Sequence, residues 1–203
     1  MPVDEGYIKF DCVWHPSDFD FSDADFQALS RWRSKLHALD LIGVYENGIG
    51  FGNISIRTLG HQLIITGSAT GGKSELSQSD YALVTGYQID RNRVECMGRT
   101  KASSEAMSHA CLYESSSEIE AVIHVHHLEL WQALSGKIPT THQAIAFGTP
   151  DMAREIARLY RQSNLPREKI LVMGGHREGL MAFGRDLDQA GETLLSHYRQ
   201  YIK

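Results

Sequence analysis

The run AVIHVHH, Ala121 to His127, closes the chain's most apolar stretch with three histidines in four positions. In an extended strand side chains alternate between faces at a rise of roughly 3.3 Å per residue, so His124 and His126 share one face while Ile123 and Val125 turn to the other. Two imidazoles so placed can bind one metal ion; the alternative is a strand whose end is simply wet and polar. His127 points the opposite way and opens a polar turn, so it is left outside the pair. A catalytic metal needs at least a third protein ligand and an open position for water or substrate. The segment GGHREG offers His176 and Glu178, although a turn between strands is also where solvated polar residues ordinarily sit.

A second constellation is SSEAMSHA, with Ser103, Ser104 and Glu105 at its head. One reading is a helix start, in which a serine caps the first turn and Glu105 sits favourably near the positive end of the helix. The other is chemical: free N–H groups and hydroxyls at that start hold a phosphate while Glu105 works as a base. Gly52 and Asn53 in FGNIS, and the stretch Thr66 to Gly72, read TGSATGG, are open to the same two readings, as turn chemistry or as an anion-binding loop.

These residues need elements to hold them. FSDADFQALSRWRSKLHALDLIG carries Phe26, Leu29, Trp32, Leu36 and Leu39 at steps of three or four behind a Ser22-x-x-Asp25 start, which predicts an amphipathic helix ending near Gly43. GIGFGNISIR and HQLIIT predict a β-hairpin around Thr58, Leu59 and Gly60. YALVTGYQI reads as a further strand, and SSEAMSHACLYESS as a helix opened by Ser103 or Ser104. The strand EAVIHVH follows. Thr149 as cap with Pro150 in the first helical position starts DMAREIARLYRQ. KILVM and LMAF are strands flanking GGHREG, and Asp186 begins a last helix carrying Leu187, Ala190, Leu194 and Tyr198. Helices and hairpins mixed in this way predict a layered α/β domain with a mixed, largely antiparallel sheet.

Composition narrows the function. The chain has 203 residues, 42% of them hydrophobic, enough for one sizeable core. A formal charge of -5 offers no basic field for a phosphate backbone, so nucleic acid is not expected as a partner. No run approaches the roughly 18 apolar residues of a spanning helix, and MPVDEGYIKFDCVWHP lacks the cationic start and apolar core of a leader. With Cys12, Cys96 and Cys111 an odd set without paired spacing, a soluble cytoplasmic protein is expected.

Taken in order, GNISIR, LIITGSATGG, SSEAMSHACLY, AVIHVHH and GLMAFGRDLDQA resemble the class II aldolase/adducin family over about Leu29 to Tyr198. The most specific part is Ser-Ser-Glu followed by His-x-His, from Glu105 to His124. The resemblance implies that residues 1–203 form a single three-layer α/β/α domain, in which His124 and His126 hold a divalent metal ion, zinc first, and Glu105 is the acid/base. It further implies that Asn53, Ser103 and Ser104 receive a substrate phosphate, with the loop containing Ser68 closing over it. That loop carries Gly67 where the family has proline. The family's third ligand is a histidine before glycine; gap-free alignment puts Glu178 there, whereas a small insertion brings His176, the favoured choice, to the metal. The implied activity is an aldolase-type lyase that cleaves or forms a carbon–carbon bond in a small hydroxylated carbonyl compound, phosphorylated or not, through a metal-stabilised enediolate. Relatives also epimerise, dehydrate or decarboxylate, and adducin's head domain is non-catalytic. A homo-oligomer, a tetramer, is expected by the same analogy.

Overall fold

The computed structural model describes residues 7–202; the first six residues of the stretch whose composition argued against a leader, and Lys203, lie outside the described residues. Along the chain come β1 (Asp11–Pro16), α1 (Asp23–His37), β2 (Gly43–Val44), β3 (Gly50–Phe51), β4 (Asn53–Arg57), β5 (Leu63–Thr66), β6 (Tyr81–Gln88) and β7 (Arg93–Gly98). There follow α2 (Ala106–Ser115), β8 (Ala121–His126), α3 (Leu128–Leu134), α4 (Pro150–Gln162), α5 (Leu165–Glu168), β9 (Ile170–Val172), β10 (Gly179–Gly184) and α6 (Leu187–Tyr201).

Among the described residues eight strands form one sheet in the order β1-β7-β6-β5-β4-β8-β10-β9, while β2 and β3 make a separate small hairpin. Among the strand pairs of the described residues, only β1–β7 is parallel. The sheet is therefore mixed and largely antiparallel, and both its faces are covered. On β8, Ala121, Ile123 and Val125 pack with Leu29 and Leu36 of α1, Leu130 of α3 and Leu194 of α6. Val122 faces the other layer, with Met107 of α2 and Ile156 of α4. Ile123 and Val125 are fully buried, each contributing roughly 1.5–3 kcal/mol of hydrophobic stabilisation. This is the three-layer α/β/α arrangement, with the strand alternation as expected.

Three helix starts follow their capping chemistry. Ser22 accepts from the Asp25 amide, Thr149 from Met152 with Pro150 first in the helix, and Asp186 from Gln189. Two expectations need correction. α1 stops at His37 rather than near Gly43, because Asp40 turns left-handed at φ 54 and the Leu41 amide bonds back to the Leu36 carbonyl at 3.0 Å. α2 begins at Ala106 with Glu105 itself in the cap position and no side-chain cap. Ser103 Oγ instead accepts from the Glu105 amide at 3.3 Å, one turn ahead of the helix. Strands β1 and β7 and helices α3 and α5 were not anticipated. His127, left out of the metal pair, caps α3 by accepting from the Leu130 amide at 3.2 Å.

Candidate active site

β8 lies between β4 and β10, so its histidines acquire neighbours from both. Asn53 stands directly opposite His124 on one side, and Gly179 opposite His126 on the other. His176 and Glu178 are not on β10 but in the turn 174–178 that precedes it, so strand alternation has no bearing on which of them reaches the pair. The turn is pressed against the chain at Ile145: a Cβ on Gly175 would fall 1.8 Å from the Ile145 carbonyl oxygen, which only glycine tolerates. His176 then stacks on Phe147, ring centroids 4.1 Å apart. The ligand atoms of His124, His126 and His176 all lie within 4.8 Å of one another, and all three residues are buried. Glu178 does not join this cluster. Its Oε2 accepts from the Tyr45 hydroxyl at 2.9 Å.

Hydrogen-bond partners assign the tautomers. His124 Nδ1 lies 3.0 Å from the Leu180 carbonyl, which can only accept, so Nδ1 carries the proton and Nε2 the lone pair. The Tyr45 hydroxyl has one proton, committed to Glu178, and so accepts from His126 Nδ1 at 2.8 Å. His126 Nε2 is then also a bare lone pair, 3.0 Å from His124 Nε2. Two lone pairs at that distance repel unless a cation sits between them. Burial, then the neighbouring His176 and His124, hold His126 well below the usual histidine range, which disfavours a proton on His126 itself. Burial, then the Lys9 ammonium, lower His176 to about 3. Three buried imidazoles so clustered fit a divalent ion such as zinc.

Beside this cluster opens a pocket with an empty volume of about 420 Å³. Asn53, Ser68, Ser103 and Ser104 line it together with Glu105, His124 and His176. Residues from β4, from the loop after β5, from the approach to α2 and from β8 thus meet in one place. Asn53 is buried and its Oδ1 has no hydrogen-bond partner among the described residues. Glu105, 2% exposed, accepts from Ser108 Oγ at 2.7 Å through Oε2.

Sequence reasoning missed Arg33 and Tyr45. Arg33 is 1% exposed, and its Nη2 donates to the carbonyls of Thr70, Gly71 and Lys73 at 3.2, 2.8 and 2.7 Å. The same loop is closed by Thr70 Oγ1 on the Gly67 carbonyl at 2.8 Å. It packs so tightly on β2 that a Cβ on Gly71 would lie 2.1 Å from the Gly43 carbonyl oxygen. The signal for Arg33 was available: it falls four residues after Leu29 and three before Leu36, within the apolar stripe of α1.

A mixed sheet between two helical layers, with a three-nitrogen cluster beside a buried carboxylate, describes an α/β protein with a candidate metal site. The sequence model of the class II aldolase and adducin N-terminal domain matches residues 46–197 of 203, and the chain belongs to that family. Among solved structures it is similar to an L-fuculose 1-phosphate aldolase at 20% identity and TM-score 0.64, covering 89% of this chain and 86% of that one. A sugar-phosphate aldolase from Thermotoga maritima gives 14% identity and TM-score 0.63, covering 87% and 92%. YgbL from Klebsiella pneumoniae, described with aldolase, epimerase and decarboxylase as alternatives, gives 16% identity and TM-score 0.64, covering 89% and 90%. At these identities the likeness is one of fold. No curated protein matches by sequence. Among the described residues no helix is long and apolar enough to cross a membrane.

Proposed function

We propose that the protein is a metal-dependent lyase of the aldolase type, acting on a small hydroxylated carbonyl compound. The observation that carries this reading is the opening of one pocket onto Glu105, His124 and His176 together. His124, His126 and His176 would hold the ion, zinc first; Glu178 is set aside as a ligand. A divalent ion held there supplies Lewis-acid polarisation of a carbonyl and its neighbouring hydroxyl. The chain's own residues do the rest. Asn53 presents its carboxamide, and Ser68, Ser103 and Ser104 their hydroxyls, to an anionic or hydroxylated end of the substrate. Glu105, at the end of α2 nearest the pocket, takes or returns the proton at a carboxylate oxygen as the carbon–carbon bond breaks or forms. The buried walls keep bulk water from competing for that proton.

Zinc-loaded protein offered a panel of ketose phosphates and their unphosphorylated forms is expected to release an aldehyde and a hydroxyketone. Inversion at a carbon or loss of carbon dioxide instead would assign one of the other reactions named for YgbL, and loss of water would assign a dehydratase. No turnover of any panel member would favour the non-catalytic role of an adducin-like head.

A cytoplasmic setting belongs to the same reading and rests on the cysteine content. So does assembly into a homotetramer, for which the family resemblance is the ground. Sedimentation at micromolar concentration should give four times the 22.7 kDa chain mass; a monomer there would remove the assembly from the reading.

A further inference from the structure

We propose that Tyr45 and Glu178 are positioning residues that set the tautomer of His126, and through it the affinity of the three-histidine site for a divalent ion; this rests on the metal-site reading above. His124 and His126 are held by different means. The Nδ1 of His124 faces a main-chain carbonyl, Leu180, at 3.0 Å, and no side-chain change can remove that acceptor. The Nδ1 of His126 faces a side chain, the Tyr45 hydroxyl, at 2.8 Å. A hydroxyl both donates and accepts, so alone it leaves the imidazole free to place its proton on either nitrogen. Glu178 removes the choice: its Oε2, 2.9 Å from the Tyr45 oxygen, can only accept. The hydroxyl proton points to Glu178, the Nδ1 proton of His126 points to the hydroxyl, and Nε2 is left bare towards His124.

The surroundings hold both members in place. Tyr45 sits in the turn between β2 and β3, where its amide donates to the Ile49 carbonyl at 2.8 Å and its carbonyl accepts from Gly48 at 2.8 Å. Its ring lies 4.5 Å from that of Phe51. Glu178 takes a left-handed backbone at φ 73, uncommon for a residue with a side chain. Its carbonyl is tied to the His127 amide at 3.0 Å. A strained glutamate kept beside a metal-binding histidine points to function. The ordinary alternative, a surface pair with Arg177, is weak, because Arg177 Nε is 3.8 Å from Oε1 and that side chain is 73% exposed.

The two residues act in series, which a double-mutant cycle detects. Zinc dissociation constants would be measured by competition with a chromophoric chelator for the wild type, Tyr45→Phe, Glu178→Gln and the double variant. Denaturant unfolding of each metal-free protein would check the fold. Loss of such outer partners costs about 10–100-fold in metal affinity, and Tyr45→Phe is expected to fall in that range. Glu178→Gln should weaken zinc in the wild-type background, since an amide can donate to the hydroxyl and reverse the direction of the chain. In the Tyr45→Phe background it should change little. Equal affinity across all four proteins, or additive losses in the double variant, would overturn the proposal while leaving the three-histidine site standing. A wild type that holds no zinc would bring down the site itself, and the proposal with it.

Discussion

Glu105→Gln is expected to lower turnover on the order of 10²-fold or more, the usual contribution of general acid–base catalysis, with fold and metal content intact. The substitution is nearly isosteric, and the glutamine carbonyl can still accept from Ser108 Oγ, which donates to Glu105 at 2.7 Å. The competing role, a carboxylate that merely favours the positive end of α2, predicts a different result. Its loss would cost only about 0.3–1 kcal/mol of stability and leave chemistry untouched. Glu105 makes no side-chain cap bond to α2, and it lines the pocket with His124 and His176; both facts favour the chemical role. Turnover and zinc content of the purified variant on a substrate found in the panel decide it. Near-normal turnover would exclude Glu105 as the proton-transfer group.

The second large effect concerns the metal itself. Elemental analysis of the wild type should find about one divalent ion per chain, and the double variant His124→Ala, His126→Ala should hold almost none, because one nitrogen remains where a stable site needs three or four. His176→Ala separates the two candidates for third ligand. It should lose most of the ion, whereas Glu178→Ala should retain a weakened site, as its carboxylate reaches the cluster only through Tyr45. Retention of metal by the double variant would move the site off β8. Both experiments read composition, so they stand whatever the substrate proves to be.

What could be read ahead of the structure followed local rules. The face shared by His124 and His126 comes from strand geometry alone, and Ser22, Thr149 and Asp186 announce helices through side-chain oxygens that reach only their own first turn. What escaped depends on contacts distant in the chain. β7 is the exception: buried Val94 and Cys96 alternate with half-buried Arg93, Glu95 and Met97, a period-two pattern that local rules can read. β1 lies at the sheet edge, so no continuous apolar run marks it. The choice between His176 and Glu178 was undecidable from period two, since both sit in a turn. Tyr45 meets His126 across 81 residues of chain. No local pattern carries such a contact.

The guanidinium of Arg33, gripping Thr70, Gly71 and Lys73 from inside the core, freezes the pocket rim before any ligand arrives. Ordering a backbone costs roughly 1–2 kcal/mol per residue in lost freedom, and here that cost falls on folding, when α1 docks, and not on binding. A ligand meets a wall already shaped, so little of its interaction energy is diverted to arranging the loop. Arginine keeps its proton across the whole working range, so this grip does not depend on acidity. The grip also comes from α1, Asp23–His37, which precedes the family-matched residues 46–197. The pocket therefore takes part of its form from residues ahead of the matched segment, and two proteins with identical site residues can still differ in how rigidly those residues are presented.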